Sequence, residues 1–177
     1  MTLNITSAAI SDLSVIQTLA HRIWNQHYLG IITQPQIDYM LERDYNLDHL
    51  QKAFAATSNF LMVSYLSQHI GFAALFRNGS TQVHLEKIYI EQQFQGLGLG
   101  QKILQHIETL ALQQGAQSIT LNVNKHNHLA IRAYRRAGYT HRRSILEPIG
   151  RGFYVDDYVY EKSLEPQKQT SLAHRQS

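Results

Sequence analysis

The chain has 177 residues, 44% of them apolar and 16% charged, a balance that fits one soluble globular domain with a full-sized core. It contains no cysteine, which excludes disulfides, cysteine nucleophiles and thiolate metal sites. A formal net charge of +3 is too small for a dedicated nucleic-acid binder, so no nucleic-acid partner is expected, whereas a small anionic ligand fits.

The opening MTLNITSAAISDL has neither a basic leader nor an apolar core, and no apolar run is long enough to cross a bilayer. No membrane association is therefore expected, and the cytoplasm is the expected location. Residues 3–10 read as a strand. Behind a cap at Ser11, Leu13, Ile16, Leu19, Ala20 and Ile23 follow at helical spacing. IITQPQIDYMLERDY reads as a second helix starting near Pro35, and LDHLQKAFAAT as a short third one. NFLMVSYL, HIGFAALF and TQVHLEKIYI read as three strands of an antiparallel meander, turning at SQH and at NGS.

Ile103, Leu104, Ile107, Leu110 and Ala111 then form one helical stripe ending at Gly115. SITLNVN is a strand, LAIRAYRRAGY a helix closed by Gly138, and YTHRRSIL and FYVDDYVYEK are two closing strands. The result is an α/β chain with a mixed, mostly antiparallel central sheet flanked by helices. One domain over residues 1–163 and a flexible tail over 164–177 are expected, without internal repeats.

Between the meander and the helical stripe stands FQGLGLGQKIL, with Gly96, Gly98 and Gly100 alternating. A glycine-rich turn that opens a helix brings unsatisfied N–H groups and the helix dipole to one point, which suits an anion, though many such loops are only tight turns. Two nucleotide readings fail on particular residues. A dinucleotide fold needs GxGxxG and an acidic residue ending the next strand, but the loop is GxGxG and that strand ends in Asn122 and Asn124. A nucleotide-triphosphate loop needs Gly-Lys-Ser/Thr, which GLGLGQK lacks.

Gln95, Gly98 and Gly100 resemble the cofactor signature of the GNAT superfamily of acyl-CoA-dependent N-acetyltransferases. NKHNHLAIRAYRRAGY is similar to its second cofactor segment through Asn127, Ala130, Tyr134 and Gly138. The resemblance covers roughly residues 58–145 and implies acetyl-CoA as cosubstrate. It implies that the backbone of Gln95, Gly96, Leu97, Gly98, Leu99, Gly100 and Gln101 wraps the pyrophosphate. Ile88, Tyr89 and Ile90 would then splay from the neighbouring strand, pair with the pantetheine and aim one N–H at the thioester oxygen. Asn127 would bond the pantetheine as well as cap a helix. Tyr134 would protonate the departing thiolate, its bland alternative being a core aromatic. Glu86 is the candidate base, with a surface ion pair as the equal alternative.

His126 and His128 flank Asn127, but no third ligand is placed by the sequence and no metal is expected. Arg132, Arg135, Arg136, His141, Arg142 and Arg143 form the densest basic region, either a solvated face or a partial contact to the ribose phosphate.

In this family the first two helices and last two strands line the amine's approach, which brings in Trp24, Tyr28, Asp38, Tyr39, Glu42, Asp44, Asp156 and Asp157. Of these, Tyr28, Asp38, Tyr39, Asp156 and Asp157 are the expected acceptor-binding residues, because aromatic and acidic groups together suit a cation. GIITQPQIDYML and GFYVDDYVYEK also resemble a bacterial polyamine N-acetyltransferase subgroup. The expected partner is thus a small-molecule amine, and a homodimer is left open. The alternatives are a protein or peptide N-acetyltransferase and a catalytically silent acyl-CoA-binding module.

Overall fold

The computed structural model describes residues 2–56 and 59–165. Strand β1 spans Leu3–Ser7, followed by helices α1 (Leu13–His27), α2 (Gln34–Asp44) and α3 (Leu47–Ala55). Strands β2 (Asn59–Tyr65), β3 (Gln68–Asn78) and β4 (Gln82–Ile90) form the meander. Helix α4 (Leu99–Gln113), strand β5 (Ser118–Asn124), helix α5 (His128–Arg136) and the hairpin β6 (Thr140–Gly150) and β7 (Phe153–Ser163) complete the chain.

Local sequence accounts for most of these ends. Thr33 and Asn46 accept side-chain hydrogen bonds from the N–H groups of Gln36 and His49, capping α2 and α3, and Pro35 sits in the first turn of α2 where its missing donor costs nothing. Three expectations shift. The first strand stops at Ser7, and Ile10–Asp12 is a short 3-10 turn closed by Asp12 accepting from the Ala9 N–H, so Ser11 is not the cap. The β2–β3 turn is made by Leu66 and Ser67, both at positive φ, one step earlier than SQH. Leu164 is buried in the core and donates its N–H to Gln117, so it does not belong to a tail. From 166 onward the expected tail lies outside the described residues.

The strands form one sheet in the order β1-β2-β3-β4-β5-β7-β6, antiparallel except for β4 beside β5. Helices α1 to α3 cover one face through Ile16, Leu19, Ile23, Trp24, Ile37, Leu41 and Leu50. Helices α4 and α5 cover the other through Ile103, Leu104, Ile107, Ile131 and Tyr134. The parallel pairing runs from Gln82 and Ser118 only as far as Leu85 and Leu121. Beyond that rung β4 stays with β3 while β5 stays with β7, and the sheet opens into a wedge. A bulge in the β3–β4 ladder at this point leaves Glu86 as the extra residue, so the inward side chains change from Val83 and Leu85 to Ile88 and Ile90.

Helix α2 is bound to the β6–β7 hairpin by several polar contacts. The Tyr39 hydroxyl and the Arg43 guanidinium both donate to the Ile149 carbonyl, Gln36 donates to the Tyr154 carbonyl, and Arg151 pairs with Glu42. Residues 30–41 and 152–162 are therefore in contact across the top of the wedge.

Candidate active site

A cavity of about 890 Å³ runs through the wedge. Its lower part is walled by Ile88, Ile90, Gln95, Gly96, Gly98, Gly100 and Gln101, with Asn127, Ala130 and Tyr134 opposite, and its upper part by residues of α1, α2, β6 and β7.

Backbone alternation decides which groups face this space. The Glu91 N–H donates to Ile70 and the Tyr89 carbonyl points at Gly71, both on the β3 side. In an antiparallel ladder the residues between must point their groups the other way, so the N–H and C=O of Ile88 and Ile90 face the wedge. Ile90 carries its own evidence, since its carbonyl accepts from Gln95 Nε2 across the mouth of the glycine loop at 3.0 Å. Tyr89 therefore contributes its ring to the site and not its peptide groups, unlike the sequence expectation.

The loop's glycines do different things. Gly96 and Gly98 have φ of 79° and 74°, a conformation that suits glycine, and Gly98 is the residue before α4. Gly100 already lies in the helix, and a Cβ there would meet only Ile90 Cδ1 at 3.8 Å, an ordinary contact. Among the described residues none is placed to require glycine at position 100. Gln101 ties α4 to α5 by donating to the Ala133 carbonyl, leaving its backbone N–H at the helix start. Leu97 is exposed and Leu99 is buried in the core, so these two offer only backbone to the loop.

Tyr134 is nearly buried, with its ring against Tyr139 and no hydrogen bond to its hydroxyl among the described residues. Burial pushes its pKa well up, so the phenol keeps its proton across the whole working pH range. Tyr28 and Tyr89 lie close enough to Tyr134 to interact electrostatically, and burial raises the pKa of both as well. With Trp24 stacked on Tyr28 at 4.4 Å and Tyr45 against Tyr89, they make an aromatic wall on the α1 side.

Asn127 is buried, accepts from the Ala130 N–H as the cap of α5, and also bonds the His27 side chain. Burial holds His27 below its ordinary pKa despite that bond, so it is neutral near pH 7. Glu86 borders the cavity from the bulge, is 42% exposed, and pairs with Lys87 Nζ at 2.8 Å.

The profile of the acetyltransferase (GNAT) family matches residues 19–139. This chain belongs to that family. It is 27% identical over 95 residues to uncharacterised N-acetyltransferases of Mycobacterium bovis and Mycobacterium tuberculosis, covering 54% of this chain. The matched part spans 60% of the length of these relatives. Among solved structures, the PaiA N-acetyltransferase of Thermoplasma acidophilum in complex with coenzyme A superimposes with a TM-score of 0.76 at 21% identity, over 92% of this chain and 99% of that one. A GCN5-related N-acetyltransferase of Rhodopseudomonas palustris gives 0.76 at 19%, over 93% and 97%. YncA of Salmonella typhimurium with acetyl-CoA gives 0.63 at 18%, over 95% and 97%. At these identities the structural likeness is one of fold.

On the acceptor side the GNAT chain separates the expected residues into two groups. Tyr28 and Asp157 line the cavity. Asp38, Tyr39 and Asp156 do not: Asp38 accepts from Gln34 within α2, Tyr39 is occupied with Ile149, and Asp156 faces away and pairs with Lys125. Sequence reading passed over Glu147, which shares the cavity face of the hairpin with Ile145, Ile149, Val155 and Asp157, and over His27 and Lys87. The alternation of β6 and β7 held that signal, because residues 145, 147 and 149 and residues 155 and 157 share one face at period two.

Burial pushes the Asp157 carboxyl up to about 6, with Asp156 and Glu147 adding to the rise and Lys125 opposing it. Among the described residues no group of three side chains is placed to hold a metal, and no helix is long and apolar enough to cross a membrane.

Proposed function

We propose that the protein is an acetyl-CoA-dependent N-acetyltransferase that passes acetyl to a primary amine of a small polyamine, both substrates being bound together. The observation that carries this reading is the parting of β4 from β5 beyond Leu85 and Leu121, directly above the glycine loop. The peptide groups of Ile88 and Ile90 that face the wedge suit a pantetheine arm threaded between the strands, the Ile90 carbonyl being shared with Gln95. The first turn of α4, entered through Gly98, suits the pyrophosphate. Family membership and the relatives of known structure that hold coenzyme A or acetyl-CoA support the same cosubstrate.

Acetyl-CoA supplies an activated acyl group, and the chain's residues do the rest. An N–H of the splayed β4 end polarises the thioester oxygen, and being fixed in the ladder it needs no reorganisation to do so. Tyr134, held in its acid form, gives a proton to the leaving sulfur. Asn127 holds the arm from the α5 side. The aromatic wall of Trp24, Tyr28 and Tyr89 and the carboxylates of Asp157, Glu147 and Glu86 favour a cationic acceptor with more than one charge. Because this rim is partly exposed, a second positive charge should add only about 1–2 kcal/mol, diminishing as salt screens it.

The test is kcat/KM for spermidine, a matched alkyl monoamine and a peptide N-terminus at two salt concentrations. Preference for the polyamine that shrinks at high salt is expected. Preference for the peptide, or equality of the two amines at both salts, would replace this reading with a protein N-acetyltransferase.

A further inference from the structure

Resting on the N-acetyltransferase reading, we propose that Asp157 is the catalytic proton acceptor for the incoming amine, in place of the carboxylate of Glu86. Asp157 is paired in register with Asn124, the last residue of β5, so its side chain stands at the free end of the strand that has parted from β4. It lines the cavity together with Tyr28 and Tyr134, and it interacts electrostatically with Tyr28. An amine drawn toward the splayed end of β4 therefore passes this carboxylate.

The charged surroundings fit the role. From the end of α1 and the residue after it come the neutral His27 and Tyr28, from β6 Glu147, from the segment after β5 Lys125, and on β7 itself Asp156. Lys125 is ion-paired with Asp156, and among the described residues no cation is paired with Asp157. Glu86 already holds Lys87 and is partly in solvent. The raised pKa of Asp157 is a consequence of this setting: at about 6 it is still ionised at neutral pH, yet it is a stronger base than an ordinary carboxylate. Moving from 3.8 to about 6 increases the share of bound amine it can deprotonate on the order of 10²-fold.

The protons balance. The ammonium gives its first proton to Asp157 and the freed nitrogen lone pair forms the bond to the acetyl carbon. As the carbon–sulfur bond breaks, the second nitrogen proton replaces the one Tyr134 has given to sulfur. The products are the amide, the thiol and one proton on Asp157, which passes to solvent.

The test compares wild type, Asp157→Asn and Glu86→Gln with a fully protonated alkyl polyamine and with an amine whose own pKa lies below 7. For the polyamine, wild-type kcat/KM should rise with pH on a limb near 6. Asp157→Asn should lose that limb and about 10²-fold in kcat, and Glu86→Gln should keep the limb. For the low-pKa amine the Asp157→Asn deficit should shrink at least tenfold, because little proton removal is needed before attack. Independently of turnover, carboxyl NMR of the free protein should give one aspartate signal titrating near pH 6 that is missing in Asp157→Asn and moves when polyamine is added. A limb that survives in Asp157→Asn, one that vanishes in Glu86→Gln, or equal deficits with both amines would overturn the assignment while leaving the N-acetyltransferase reading intact. Folded protein that binds acetyl-CoA but acetylates no amine would overturn both.

Discussion

The carbonyl oxygen of Tyr89 lies far closer to the position of a Cβ on Gly71 than such atoms can approach. Glycine at position 71, in register with Ile90, is thus what lets β3 and β4 pair closely along the part of β4 that has left β5, and that pairing turns the Ile88 and Ile90 groups into the wedge. Gly71→Ala should push the two strands apart here. The expected cost is on the order of 1–3 kcal/mol of stability, measured by denaturant unfolding, together with weaker acetyl-CoA binding. Full stability and full binding would mean that the register of β3 on β4 does not set the wedge.

Gly100 separates ligand space from chain conformation more cleanly than its neighbours. At Gly98 any side chain meets a backbone at φ 74°, so a loss of binding there would be ambiguous. At Gly100 an alanine is sterically acceptable to the protein and should raise helix stability by up to about 1 kcal/mol. Gly100→Ala is expected to melt at or above the wild-type temperature yet bind acetyl-CoA at least tenfold more weakly by calorimetry. Unchanged affinity would remove the glycine loop from the cofactor site.

Tyr134→Phe keeps the ring that packs on Tyr139 and removes only the hydroxyl. Stability and acetyl-CoA affinity should hardly change, while kcat should fall about 10²-fold where chemistry limits turnover. Wild-type turnover should show no downward limb from Tyr134 between pH 7 and 9, because burial keeps the phenol protonated there. Single-turnover rates for the two proteins across that range check both statements.

Asp157 also links function to stability. Its folded pKa of about 6 lies above the 3.8 of the free side chain, so between those values the folded state holds more protons than the unfolded one. Stability associated with this group is therefore present below about pH 4 and is lost as pH rises through 6. Asp157→Asn should stabilise the fold at pH 7.5, by about 1–2 kcal/mol after allowance for partial exposure, and should do little at pH 4. Thermal unfolding at the two pH values measures this, and equal effects at both would contradict the buried setting of the carboxylate.

The chain's local patterns determined a good deal without any tertiary information. The helical stripe from Ile103 to Ala111, the meander, and the order of glycine loop, helix, strand and second helix are all present in the residues because periodicity and turn chemistry act over a few positions. That order was enough to carry the family. Tertiary structure decided which of the acidic and aromatic residues meet. Asp156 and Asp157 are neighbours in sequence, and β7 sends one to Lys125 and the other into the cavity. Tyr39 holds the hairpin while Tyr28 lines the pocket, and Glu147 enters from the part of β6 that runs on past the expected YTHRRSIL strand. Alternation makes the two faces of a strand distinct, but only packing against α1 and α2 determines which face is the site. The wedge itself depends on where a bulge and the end of a parallel ladder fall, and such long-range pairing leaves no periodic trace in either strand.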